Sequence, residues 1–413
     1  MRRNILVFIV LLSISLCSKI SANYPYWEQR QSMFELLPVD STDIVFLGNS
    51  LTDGGKWSEM FNMTNIKNRG IVSDVIAGVA QRTKCITSGK PAKIFLLIGV
   101  NDISHHITAD SIATAVEKLV MQLKEETPTT KIYLQSYLPI NNDFGVYKTL
   151  TNESETILKC NVLLEQVAKR TGAEWINIFP YMIDRDCKMR AELTPDGLHL
   201  YERGYCVWRD CVAPYIAPGV TFTDEAYPIP ENSIMLAGNS LMRKAEWQEL
   251  LANGNVRARG TWDDTVQQLP ILVGNIAWTK PQKMLIQPSY DSKTENGAVS
   301  GNFNADSIVA YTEKAISVLR ERSPKTTIYL QGLIPVNSGY EKYASFAGSG
   351  KAIKQANKKL QKLAKKLKIN WIDVTPILSD SKGELKEEFT NDGYSLMGAG
   401  YKAWADAIAT SLE

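Results

Sequence analysis

Histidine is scarce and cysteine is one-sided in this 413-residue chain: it has three histidines, none beyond His199, and six cysteines, none beyond Cys211. No CxxC pair and no Cys/His spacing suited to zinc occurs, so no metal site is expected. Nor does a glycine-rich phosphate loop open the first helix, which argues against a nucleotide-binding module, and no organic cofactor is expected. Excess charge of either sign is absent too. A formal net charge of +2 argues against nucleic acid as the main partner. The one pronounced apolar run, Ile5 to Leu16, is too short to span a membrane and nothing comparable follows it.

That run has a meaning of its own. Arg2 and Arg3 precede it and the small residues Ser21 and Ala22 follow, the pattern of a secretory signal peptide cut after Ala22. Export to a periplasm or to the outside is therefore expected. A lipid anchor at Cys17 is the rival, opposed by Leu16 where such signals carry a small residue. The mature chain keeps Cys85, Cys160, Cys187, Cys206 and Cys211, an odd number, so at least one thiol stays unpaired within the chain. Cys206 and Cys211 are five apart on a predicted helix and point to different sides. If a bridge forms, Cys187 with one of them is expected.

The length leaves room for two ordinary domains, and the chain repeats itself. DIVFLGNSLT (Asp43 to Thr52) matches NSIMLAGNSLM (Asn232 to Met242), and KIYLQSYLPIN (Lys131 to Asn141) matches TIYLQGLIPVN (Thr327 to Asn337). TPDGLHLYERGYCVW (Thr194 to Trp208) matches TNDGYSLMGAGYKAW (Thr390 to Trp404). Ser50 and Ser240 stand 190 positions apart and Asp196 and Asp392 stand 196 apart, a near-constant offset that means duplicated domains. Within the first copy IVFLG, IKNRG, KIFLLIG, KIYLQSYL and WINIF alternate with helical patterns near 57–61, 73–85, 109–126, 156–170 and 201–216. Such alternation predicts an α/β fold, a parallel sheet covered by helices on both faces, with ligands at the carboxyl ends of the strands. The Pro-containing stretch Ala217 to Glu231 reads as a linker. The expected organisation is a leader of residues 1–22, a first domain of 23–218, a linker of 219–231 and a second domain of 232–413, with contact between the two domains.

GNSL places Ser50 just past the first strand. A serine hydroxyl attacks well only when a base takes its proton, and histidine titrates in the right range. His199 lies three residues after Asp196, and Gly197 between them allows a tight turn. Asp196 could then orient one ring nitrogen while the other faces Ser50, a serine triad in outline. Oxyanion donors are available at strand ends: the Ser50 amide, the Gly70 amide in NRG and the Asn101 side chain in GVND.

These four blocks, GNSLT, the Gly70 block, GVND and DGLH, resemble the SGNH/GDSL hydrolases. The likeness is strongest to the branch that includes platelet-activating factor acetylhydrolase and bacterial carbohydrate O-acetylesterases. The family pattern often has Asp before the serine, and Asn49 stands there. The resemblance implies two tandem flavodoxin-like three-layer α/β/α sandwiches and acyl transfer to water through a Ser50 ester, without a metal. By analogy it implies a small acyl group, acetyl first, on a carbohydrate. A lipid or phospholipid ester is an alternative substrate. A non-catalytic glycan-binding protein is the alternative of a different class.

The second copy keeps Ser240, Gly260 and Asp392 but has Tyr290 at the asparagine position and Ser395 at that of the histidine. A serine hydroxyl cannot act as the base near neutral pH, so this copy is expected to be a non-catalytic relic. Asp392 there is expected to serve only a turn or a cap. Trp57, Met60 and Phe61 fall at helical spacing and are expected in the core, as is Trp208; Tyr201 belongs to the same final helix. His105 and His106 belong to a solvated loop or to the rim of the cleft. The lysines of 351–368 flank an apolar stripe of Ile353, Ala356, Leu360, Leu363 and Leu367, a helix with a solvated basic face.

Overall fold

The computed structural model describes residues 25–223, 227–230, 232–261, 265–290, 304–340 and 349–412. The expected leader lies outside these residues. The chain divides into two compact units, Met1–Pro228 and Ile229–Glu413.

In the first unit the strands β1 (Ile44–Gly48), β2 (Ile66–Gly70), β3 (Lys93–Leu97), β4 (Lys131–Gln135) and β5 (Glu174–Ile176) form one parallel sheet in the order β2-β1-β3-β4-β5. The register explains its core. Phe46 pairs with Phe95 and Phe95 with Tyr133, so three rings from adjacent strands point to the same face and stack at 5.0 and 4.5 Å. Trp57, from the helix Trp57–Phe61, stacks on Phe46 at 3.9 Å. Trp208, from the helix Glu202–Ile216, meets Trp57 edge-on at 4.9 Å. Both tryptophans are almost wholly buried, each contributing on the order of 2–3 kcal/mol by removal from water. The alternate strand residues, Val45, Leu47, Ile94, Leu96, Ile132 and Leu134, face the other way and are buried as well. The helices Ala109–Glu126 and Ser154–Thr171, packed on one another, cover that side.

The second unit builds a parallel sheet from β6 (Ile234–Gly238), β7 (Val256–Gly260), β8 (Lys283–Ile286), β9 (Thr327–Gln331) and β10 (Asn370–Ile372), in the order β10-β9-β8-β6-β7. Counted from its own first strand this is the order of the first sheet. Buried polar contacts match too. The Trp208 indole donates to Gln135 at 2.7 Å, and the Trp404 indole donates to Gln331 at 2.7 Å. Tyr205 donates to the Leu51 carbonyl at 2.9 Å, and Tyr401 to the Leu241 carbonyl at 3.0 Å. The basic helix Ser349–Leu367 buries Ile353, Ala356, Leu360 and Leu363 and exposes its lysines.

Several expectations need correction. The helical pattern over 73–85 is two short helices, Ile76–Gln81 and Lys84–Thr87, broken where the Arg82 side chain turns inward to meet Asp74 and the Gly48 carbonyl. A helix at Pro25–Leu36 was not expected; its buried face mixes Gln29 and Arg30 with Met33 and Phe34, which hides an apolar stripe. The anticipated bridge from Cys187 is not formed. None of the five described cysteines is joined in a disulfide: Cys187 sits on an exposed turn, whereas Cys206 is buried in the core. The stretch read as a linker begins by docking, with Phe222 edge-on to Phe61 at 5.3 Å and Arg209 bonded to the Thr223 carbonyl at 2.8 Å.

Candidate active site

Ser50 opens the four-residue helix Ser50–Asp53 at the carboxyl end of β1. Asn49 caps it, its side chain accepting from the Leu51 amide at 3.1 Å, while its own Nδ2 is buried without a partner among the described residues. Two core side chains pin this short helix: Tyr205 holds the Leu51 carbonyl, and Trp57 donates to the Thr52 carbonyl at 2.9 Å. As the first helical residue, Ser50 has an N–H with no intrahelical acceptor.

The structure brings Ser50 to His199 and His199 to Asp196. The Ser50 Oγ lies 3.0 Å from His199 Nε2, and His199 Nδ1 lies 2.8 Å from Asp196 Oδ2. A local turn sets this up. Asp196 Oδ1 accepts from the amides of Leu198 at 3.0 Å and His199 at 2.8 Å, and Thr194 Oγ1 accepts from the Gly197 amide at 2.8 Å. Gly197 has φ 88°, and a Cβ there would lie 2.2 Å from the Asn141 carbonyl oxygen, so both the backbone and the space require glycine. Burial raises the Asp196 pKa, but the hydrogen bonds from the His199 ring and from the two amides outweigh it, leaving the carboxyl below its ordinary value.

Tyr147 joins this pair, and no motif in the sequence points to it. Its hydroxyl lies 3.1 Å from Asp196 Oδ2 and 3.0 Å from His199 Nδ1, and its ring meets the imidazole edge-on at 5.7 Å. Burial and the Asp196 charge push the phenol up to about 12.

The expected oxyanion donors fare differently. Asn101 stands in the short helix Val100–Ser104 after β3, and one of its Nδ2 hydrogens goes to the Asp74 carbonyl at 2.8 Å. The second hydrogen has no partner among the described residues. The Gly70 amide, by contrast, donates to Asn68 Oδ1 at 2.9 Å. Glycine is needed there for another reason: a Cβ would lie 2.1 Å from the Asp53 amide nitrogen, so β2 could not approach the Ser50 helix. Beyond it the turn carries Ser73, exposed and at φ 62°. That conformation costs a residue other than glycine roughly 1–2 kcal/mol.

The helix Pro25–Leu36 braces this half of the site. Tyr26 donates to the Asp53 carboxylate at 3.1 Å, Arg30 pairs with Asp53 at 3.1 Å, and the Trp27 indole donates to Asp74 at 3.2 Å. Asp74 is also paired with the buried Arg82 at 2.8 Å. Asp102 accepts from the Ile76 amide at 3.2 Å, and its burial, reinforced by the Asp74 charge, raises its carboxyl to about 7. His105 and His106 are exposed, and His106 Nδ1 lies 3.3 Å from Glu153.

In the second unit Asp392 Oδ1 accepts from the amides of Tyr394 at 2.9 Å and Ser395 at 2.7 Å, the same turn with no imidazole on it. Tyr290 is buried, donates to the Ile334 carbonyl and packs on Tyr394 with ring centroids 5.9 Å apart. Ser240 is 7% exposed and Gly260 ends β7. Among the described residues no group of three or more His, Cys, Asp or Glu side chains could hold a metal ion. No described helix is long and apolar enough to cross a membrane.

Comparison with known proteins finds several that this chain resembles. The GDSL-like Lipase/Acylhydrolase family matches residues 46–207. Platelet-activating factor acetylhydrolase IB subunit alpha2 of Rattus norvegicus is 24% identical over 186 residues, covering 43% of this chain and 78% of that protein. The Homo sapiens counterpart is 28% identical over 120 residues, covering 27% and 52%. Among solved structures, a GDSL-like lipase of Bacteroides thetaiotaomicron is 20% identical with a TM-score of 0.38, covering 43% of this chain and 89% of that one. An acetylxylan esterase of Geobacillus stearothermophilus is 16% identical with a TM-score of 0.37, covering 44% and 96%.

Proposed function

Through residues 46–207 the chain belongs to the GDSL-like lipase/acylhydrolase family and is an ester hydrolase, and on that premise we propose that it works by serine catalysis in its first unit. Ser50 attacks the ester carbonyl while His199 Nε2 takes the hydroxyl proton. Asp196 holds the ring in the tautomer that leaves Nε2 free and stabilises the imidazolium that forms. The proton then passes to the departing alcohol, and water, activated by the same imidazole, releases the acid from the Ser50 ester. The Ser50 amide and the second Asn101 hydrogen hold the oxyanion. With the Gly70 amide engaged by Asn68, the third donor comes from the exposed part of the turn, around Ser73.

The single observation that carries this reading is the unbroken relay from Ser50 Oγ through His199 to Asp196, at 3.0 and 2.8 Å. For substrate we propose a small acyl ester, acetyl first, since the curated relatives are named as acetylhydrolases. A carbohydrate is the proposed alcohol because the N-terminal sequence reads as an export signal, and exported esterases of this branch meet glycans. The second unit is a duplicated copy that has kept the scaffold and lost the chemistry, as supported by the shared strand order and the paired tryptophan and tyrosine bonds.

The test is hydrolysis of p-nitrophenyl acetate and butyrate by the full chain, Ser50→Ala and Ser240→Ala. Release that disappears only in Ser50→Ala is the expected result. Equal release by Ser50→Ala would end the proposal.

A further inference from the structure

We infer that the Tyr147 hydroxyl is a positioning residue for the Asp196–His199 pair, fixing the ring and setting its basicity. The inference rests on reading those two residues as the base and its orienting acid. Three polar atoms close a triangle there: His199 Nδ1 to Asp196 Oδ2 at 2.8 Å, Tyr147 Oη to the same Oδ2 at 3.1 Å, and Tyr147 Oη to Nδ1 at 3.0 Å. A phenol has one proton to give, and a carboxylate is its stronger acceptor. Tyr147 therefore donates to Asp196, and its lone pair faces the ring nitrogen. That leaves Nδ1 with two acceptors and no donor, so the proton resides on Nδ1 and the lone pair on Nε2 faces Ser50.

The second consequence concerns basicity. Asp196 receives four hydrogen bonds: two amides on Oδ1, and the imidazole and the phenol on Oδ2. Each donor draws charge from the carboxylate and weakens its hold on an imidazolium. Taking away the phenol proton should return that charge to the His199 bond and raise the affinity of the ring for a proton. Loss of the phenol lone pair, 3.0 Å from Nδ1 against 3.1 Å for the phenol's bond to Asp196, works the other way, so the hydroxyl bears on the ring's basicity through both contacts. Among the described residues Asp196 is the charged group that meets both rings. Ser50 is the polar group on the far side, Lys148 on the Tyr147 loop is exposed, and Glu153 is engaged with His106.

The chain has only three histidines, so their ring resonances can be titrated individually. The experiment compares Tyr147→Phe with Tyr147 intact, both in a Ser50→Ala full chain, following the ring carbon signals against pH. Phenylalanine keeps the ring contact on His199 and removes only the hydroxyl. The expected result is a His199 titration displaced from that of the chain with Tyr147 intact, with His105 and His106 unmoved as internal evidence of an intact fold. A His199 titration that coincides in the two chains overturns the inference. A kinetic readout separates tuning from mere support: in the chain with Ser50 intact, Tyr147→Phe should move the acid limb of kcat/KM in the same direction as the ring titration with KM nearly constant. The titration needs no turnover, so it stands apart from the esterase reading, which fails if Ser50→Ala keeps full activity.

Discussion

Asp196 and Asp102 are two carboxyls with opposite surroundings, and they give the site two opposite pH dependences. Asp196 is held below its ordinary value by the His199 ring and two amides, so its contribution to stability is present above that value and is lost as pH falls through the folded pKa. Asp102 is raised by burial to about 7 from an ordinary 3.8. Between those values the folded chain keeps a proton that the unfolded chain has lost, so stability falls as pH rises from about 4 to about 7, by up to roughly 4 kcal/mol. Asp102→Asn should flatten this decline, since an amide oxygen still accepts from Ile76 and never ionises; urea denaturation at pH 4.5 and 7.5 measures it. At the chemistry itself, Asn101→Ala should cost on the order of 100- to 1,000-fold in kcat, read by steady-state hydrolysis with folding checked by circular dichroism. That Ser50, Asp196 and His199 come together was legible in the sequence because turn residues flag them: Asn49 before the serine, and Gly197 between the aspartate and the histidine. Tyr147 was not, because it sits 52 residues before His199 in a polar loop and reaches the pair only through folding. Gly70 was legible as a required glycine but for the wrong reason, since its close approach is to the Asp53 backbone and not to a substrate.

At the level of elements, Ser50, the proposed nucleophile, rests on a helix of four residues, too short to be stable alone. What holds it is tertiary: the Tyr205 and Trp57 bonds to its carbonyls, and the Arg30 and Tyr26 grip on Asp53. Arg30→Ala should therefore do more than loosen the terminus. It leaves the Asp53 carboxylate partly buried with only the Tyr26 hydroxyl from that helix, which should cost roughly 3 kcal/mol and lower kcat, measured by denaturant unfolding and hydrolysis on the same preparation. The sheet was readable from the sequence because its strands are short apolar runs with the Phe46, Phe95 and Tyr133 alternation in register. The helix Pro25–Leu36 was not, because function-bearing polar groups occupy its buried face. The same physics bears on the segment after Ile216. Phe222 packs against Phe61 and Arg209, so a fragment ending at residue 218 should be less stable than one ending at 228 by about 1–3 kcal/mol, as a thermal melt of the two would reveal.

Taken over the whole molecule, the first unit carries one complete relay and the second a matching scaffold that lacks one. Both units keep the turn in which an aspartate caps two amides, but only the first mounts an imidazole on it. Retention of Asp392 follows from that turn, which needs the carboxylate whether or not a base follows. In the second unit a buried Tyr290 fills the place of the asparagine, and Ser240 is sealed where Ser50 is half-buried. The matching stretches were visible in the sequence through their offsets, whereas the burial of Tyr290 against Tyr394 was not, since nothing in the pattern says which way a side chain turns. The proposed chemistry requires that Ser50 alone be an activated nucleophile. The most direct measurement is reaction of the intact chain with a serine-reactive fluorophosphonate, followed by mass spectrometry of its peptides. One label per chain, on Ser50 and abolished in His199→Ala, is what the account requires. A label on Ser240, or no label on a folded chain, would contradict it.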